Sequence, residues 1–344
     1  MKIGMALLAL ALFIVGCSVD KAGDPQAGTT ASAGSAGGFK LSGPYTHDNL
    51  TIYLIHGEDR LKGKNYLTLT EAMEQKKIIV HETGEVNELT VENVSGEEIF
   101  IIGGDIVKGG KQDRTLAVDI VLPPNSGKIP VDSFCVEHGR WSQRGGETAT
   151  AFAGNTFTLS SKELKLAAKG DGDQQKVWAE VERAQHQLAV NAGKSVQSGE
   201  SESSLQLTME NKDVQAAVEQ YVNKLSAIVD GKSDVIGYAF AINGKVNSVD
   251  IYASAPLFRK LWSKLLNSTA VEAFANLKRG ESFAPVTAEA IALCMADAEK
   301  GKAEEKDVSA RVKLVTQETE KNVLFESRDN ERKGEWIRRN YLSK

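Results

Sequence analysis

Three cysteines in 344 residues leave no room for a disulfide scaffold. Lys+Arg 41 against Asp+Glu 46 gives a net charge of -5, so the basic excess of a general nucleic-acid binder is missing. No segment repeats at a period of about 20–50 residues, and a solenoid has no support. The five histidines, His47, His56, His81, His138 and His186, form neither HxxxH nor HxH. That spacing implies no metal site and no cofactor. What is present is ordinary: 41% hydrophobic and 25% charged residues exclude wholesale disorder. The length fits two average domains or one large one.

The chain opens on an address. Lys2 precedes an apolar run over 3–15, which falls short of the roughly 20 residues a bilayer span takes. That pattern reads as a secretory signal over 1–16. Its end, Ile14-Val15-Gly16-Cys17, resembles a bacterial lipobox, which implies that Cys17 is acylated and becomes the first residue of the mature chain. Residues 17–40 are expected to form a flexible stalk, because 18–38 is rich in Gly, Ala, Ser, Thr and Asp and lacks apolar periodicity. Ser18, in place of Asp, resembles the outer-membrane sorting choice. The expected partner is therefore a lipid bilayer, with the protein facing the periplasm.

Residues 41–344 are expected to fold as α+β, a mostly antiparallel sheet with packed helices. Residues 48–141 read as a β-rich part with strands at 49–56, 77–82, 88–93, 98–102, 115–122 and 128–134. Thr68 to Glu71 has capping-box spacing and predicts a short helix through Lys76. A helical and hairpin part over 173–300 follows. Val177, Val181, Ala184 and Leu188 share one helix face, as do Val214, Val218, Tyr221, Leu225 and Ile228. Asn243-Gly244 between 235–242 and 245–252 predicts a type I′ hairpin, pairing Ile242 with Lys245 and Tyr238 with Val249. Helices are expected at 257–276 and 287–300, and a strand-rich tail at 306–342. Trp178, Tyr221, Phe258 and Trp262 are expected in the core.

Two segments look chemical. Residues 103–114, GGDIVKGGKQDR, follow an apolar strand with four glycines, two lysines, an arginine and two aspartates. Glycines admit close backbone approach to a ligand, and Lys111 and Arg114 suit an anion. It is no Walker loop, since Gly110 and Lys111 stand where Lys and Ser/Thr are needed. The alternative is a glycine-rich turn with solvated charges. Residues 135–141, CVEHGRW, gather a thiol, a carboxylate, an imidazole and a guanidinium. The Cys135–Arg140 spacing equals that of a rhodanese-type loop, but Ser142-Gln143-Arg144-Gly145-Gly146 is a poor helix opening, and an inert buried cysteine is the stronger reading. A Cys135–Cys294 disulfide stays open. If 115–122 and 128–134 form one hairpin, Arg114 and Cys135 become neighbours and the two segments converge.

These motifs carry a resemblance. Gly104-Asp105, Gly110 to Arg114 and Cys135 to Trp141 are similar to the ADP-ribosylglycohydrolase-and-rhodanese-phosphatase-associated domain, and the likeness continues through Val177-Trp178, 235–252 and 257–266. That family is named for gene neighbours that process ADP-ribose, and its own activity is not established. The family more often has Glu at 105 and Asn at 113.

The expected ligand-binding set is Gly104, Asp105, Gly110, Lys111, Gln112, Arg114, Glu137, Arg140 and Trp141. Asp105, Glu137 and Cys135 are the catalytic candidates. The expected function is an envelope lipoprotein binding an anionic small molecule that carries phosphate or ribose. The alternatives are a hydrolase or transferase on an ADP-ribose-like substrate, and a scaffold without a small ligand.

Overall fold

The computed structural model describes residues 34–155 and 157–344. Cys17, the signal and most of the expected stalk lie outside the described residues. The fold is α+β with predominantly antiparallel sheets.

The centre is a nine-stranded sheet. Its strand order is Ser35–Ala36, Phe39–His47, Leu50–His56, Val235–Ile242, Lys245–Tyr252, Glu335–Ser343, Asn322–Asp329, Val312–Glu318, Ala303–Asp307. Described strand structure is present before residue 41: Ser35 and Ala36 pair with Lys40 and Phe39, inside the expected stalk. Leu50–His56 also leaves the local β-rich group, because its partner in the sheet is the distant strand Val235–Ile242.

The hairpin has its expected turn. Asn243 and Gly244 both take positive φ, 51° and 69°. Ile242 pairs with Lys245, but Val249 faces Ala239 rather than Tyr238. A bulge at Asn247 shifts the register by one, and the Asn247 amide bonds Glu272 at 2.7 Å. Both sheet faces are covered. Tyr238 lies against Phe258 and Trp262 of the helix Ala255–Ala275. On the other face Tyr341 donates to Glu299, which ends the helix Ala288–Ala298. Double-sided cover explains why all of Val235–Ile242 is buried.

The second part is a smaller β unit. Six strands run in the order Phe152–Ala153, Ile106–Gly109, Arg114–Leu116, Gly127–Cys135, Glu88–Asn93, Ile78–Glu82. Ile120–Leu122, Ile99–Ile101 and Leu67–Thr68 form another small sheet. Leu89, Val91, Ile99, Leu116 and Leu122 share its own apolar core. Thr68 caps the helix Leu69–Glu74 with the full capping box.

The expected strand over 115–122 is two strands in different sheets. The break falls at Asp119, whose carboxylate accepts from Arg338 (2.8 Å), Ser327 (2.6 Å) and the Gly103 N–H (2.6 Å). Arg338 also grips Asp250 at 2.8 and 2.9 Å. This ion triad fastens the β unit to the central sheet. Asp105 does the same work: its carboxylate accepts from Lys264 of the helix Ala255–Ala275 at 2.7 Å.

Candidate functional site

Local pairing places the first site residues. Arg114 opens its strand directly opposite Cys135, as the sequence expects, although no continuous hairpin joins them. Gly127–Asp132 pairs instead with Glu88–Asn93. The loop 109–113 and the segment 136–147 then meet over this strand end.

Their meeting is a buried charge network. Glu137 accepts from Arg140 Nε (2.7 Å) and Nη2 (2.6 Å), a bidentate grip. It also accepts from the Asp113 N–H at 3.0 Å and from Arg144 at 3.4 Å. Asp113 accepts from both Arg144 terminal nitrogens (2.9 and 3.0 Å), from the Gly109 N–H (2.9 Å) and from Ser204 (2.8 Å). Arg140 donates its remaining hydrogens to the carbonyls of Gly110, Gly109 and Ser142. Gly110 is obligatory here: it has φ 56°, and a Cβ would strike the Phe152 ring at 2.4 Å.

This network engages several of the candidate residues. Burial raises the Glu137 carboxyl, but hydrogen bonds led by Arg140 outweigh it and hold it below the usual range. A saturated, ionised carboxylate is a brace, not a poised base. Cys135 is fully buried, and desolvation pushes its thiol up to about 11. A buried thiol with a raised pKa suits the inert reading that the sequence favours over the nucleophile. Cys135 and Cys294 are both free thiols, so the disulfide is not formed. Asp105 is spent on Lys264, far along the chain from this network, and Gly104 bonds only backbone, donating to Leu116 and accepting from Leu159. Neither joins the charge network, because the strand Ile106–Gly109 separates them from it.

Arg114 differs from the other arginines. It is fully buried, yet donates one hydrogen bond, 3.3 Å to the Gln112 carbonyl. Its Nε and Nη2 have no partner. Glu82 stands 3.7 Å from Nη2 but is held by the N–H groups of Gly84 (3.0 Å) and Lys111 (3.1 Å). Trp141 lies above, 43% exposed, with Arg114 Cζ 5.3 Å and Lys111 Nζ 5.1 Å from its ring centroid. Gly110, Lys111, Gln112, Arg114, Glu137, Arg140 and Trp141 thus gather at one strand end.

Sequence reasoning missed Arg144, Glu147 and Glu82. Arg144 is buried within a Gly/Ser/Gln loop and also binds Glu147 at 2.9 Å. An acid at 113 was the available signal, since a buried Asp requires a cation. Trp178 is half-buried, with its indole N–H on the Glu137 carbonyl at 3.0 Å, so it supports this segment; Tyr221, Phe258 and Trp262 are core, as expected.

No curated protein and no solved structure matches the chain. The family model of the ARG and Rhodanese-Phosphatase-superfamily-associated Protein domain matches residues 38–342. That span holds both chemical segments, the hairpin and nearly all of the described strands and helices, and the chain belongs to this family.

Proposed function

We propose that the chain is an envelope lipoprotein, tethered through acylated Cys17 to the outer membrane and facing the periplasm. Its folded domain binds a small anion carrying a phosphate or ribose-phosphate at the Arg114–Trp141 face. The observation that carries the binding reading is Arg114, a buried guanidinium with two unpartnered nitrogens. Glu82 balances its charge from 3.7 Å, beyond hydrogen-bond reach, and leaving a buried donor unsatisfied is costly. A phosphate supplies the acceptors that Arg114 lacks, in a geometry that suits a guanidinium. Lys111 adds a second cation, and Trp141 offers an exposed ring edge for a sugar or base.

Binding is favoured over turnover. Arg140 and Arg144 are neutralised by Glu137 and Asp113, the Glu82 carboxylate beside Arg114 is engaged by the Gly84 and Lys111 N–H groups, and the nearby Cys135 thiol is pushed up to about 11. The lipid tether rests on the Ile14-to-Cys17 pattern. The test of binding is a fluorescence titration of the purified domain with ADP-ribose, pyrophosphate and neutral ribose. A saturable change with the two anions, lost in Trp141→Phe, supports the reading. Equal responses to ribose and to pyrophosphate overturn an anion site.

A further inference from the structure

A second constellation lies at the sheet edge, apart from the Arg114 face. Three adjacent strands supply it. Ser42 lies on Phe39–His47, at the register shift before Tyr45. His56 ends the strand Leu50–His56. Asp234 immediately precedes the strand Val235–Ile242, whose Val235 faces His56. The Gly57 N–H bonds the Asp234 carbonyl at 2.9 Å and fixes that corner.

The side chains form a hydrogen-bonded chain. Ser42 Oγ is 2.7 Å from His56 Nε2, and His56 Nδ1 is 3.0 Å from Asp234 Oδ1. An ionised carboxylate only accepts, so Nδ1 carries the proton. Burial raises the Asp234 carboxyl, but the bond and charge of His56, with a backbone bond and Lys40, together outweigh it and hold the group below its usual range. In the neutral ring Nε2 is then the acceptor, and the Ser42 hydroxyl donates to it. Nucleophile, base and orienting carboxylate stand in their working order.

Access is present as well. Ser42 is half-buried, and among the described residues the outer edge is paired only opposite Phe39 to Leu41. The Asp234 side chain is 61% exposed and that of His56 10%. The Lys40 backbone is paired with His56 across the strands, which adds positive field at this corner.

We propose that Ser42 and His56 are the catalytic residues of an esterase site for small, accessible carboxylic esters, with Asp234 as the positioning residue. Ser42 Oγ bonds the acyl carbon while its proton passes to His56 Nε2. The C–O bond to the alcohol breaks, and the alcohol leaves with that proton. Water, deprotonated by His56, then cleaves the acyl–Ser42 ester, releasing the acid and restoring the hydroxyl. The net reaction is ester plus water to acid plus alcohol.

The test is labelling of the folded protein with a fluorophosphonate, read by peptide mass. The expected result is one adduct on Ser42, absent in Ser42→Ala. His56→Gln should slow labelling by roughly 100-fold or more, the usual contribution of a general base. Asp234→Asn should lower kcat on p-nitrophenyl acetate with KM unchanged, which a merely structural role would not do. Matching melting temperatures confirm that the variants are folded. No adduct on wild-type Ser42, or a rate unchanged in His56→Gln, overturns the proposal and leaves a trio that only pins the strand ends.

Discussion

Replacing Arg144 with Met should unfold far more of the protein's margin than its loop position suggests. The side chain is 2% exposed and donates to Asp113 at 2.9 and 3.0 Å, to Glu147 at 2.9 Å and to Glu137 at 3.4 Å. Removing it leaves Asp113 buried beside Glu137 without its cation, where burial already pushes its carboxyl up. Breaking one side of a buried ion pair costs about 3–5 kcal/mol, whereas a surface arginine is worth within about 0.5 kcal/mol. At roughly 2–4 °C per kcal/mol for a chain of this size, the melting temperature should fall on the order of 10 °C. Urea denaturation of wild type and Arg144→Met at equal m measures the difference. Asp113→Asn removes the stranded charge, so the double variant should cost less than the two single losses added together. A loss under about 0.5 kcal/mol for Arg144→Met would refute the buried network.

Gly244→Val should destabilise by roughly 1–2 kcal/mol, because the turn holds φ at 69° where a β-branched residue is strained; an unchanged urea midpoint argues against this. Lys169 has its amine lowered to about 7, chiefly by burial and secondarily by Arg338. The unfolded chain keeps that amine protonated to about pH 10.4, so between about pH 7 and 10 the unfolded state binds more protons and stability rises with pH. Lys169→Met should therefore be more stable than wild type near neutrality, and the gap should close towards pH 10; a gap that widens contradicts the sign. Cys17→Ala should abolish incorporation of a clickable fatty acid in cells, and undiminished label would remove the tether.

What was legible in the sequence was mostly local. The Thr68 capping box and the Asn243-Gly244 turn both appear as read, because their hydrogen bonds close within four residues. The hairpin register slipped by one since Asn247 answers to Glu272 on another element. The strand expected over 115–122 broke at Asp119 for the same kind of reason, its partner Arg338 being 219 residues away. Ala303–Asp307 went unread because an all-exposed, charged edge strand has no apolar period. At the site, chemistry-bearing residue types were visible but their state was not. Glu137 and Arg140 looked free and are spent on each other, while Arg114 looked like one cation among several and keeps two buried nitrogens without a hydrogen-bond partner.

That contrast makes Arg114→Met the most direct measurement. Calorimetric titration of ADP-ribose into wild type and variant should be paired with their melting curves. A guanidinium kept for a ligand predicts that Arg114→Met loses binding at least tenfold while costing clearly less stability than Arg144→Met, since Glu82 keeps its Gly84 and Lys111 N–H donors. Unchanged affinity, or a fall in stability as large as that of Arg144→Met, would contradict it.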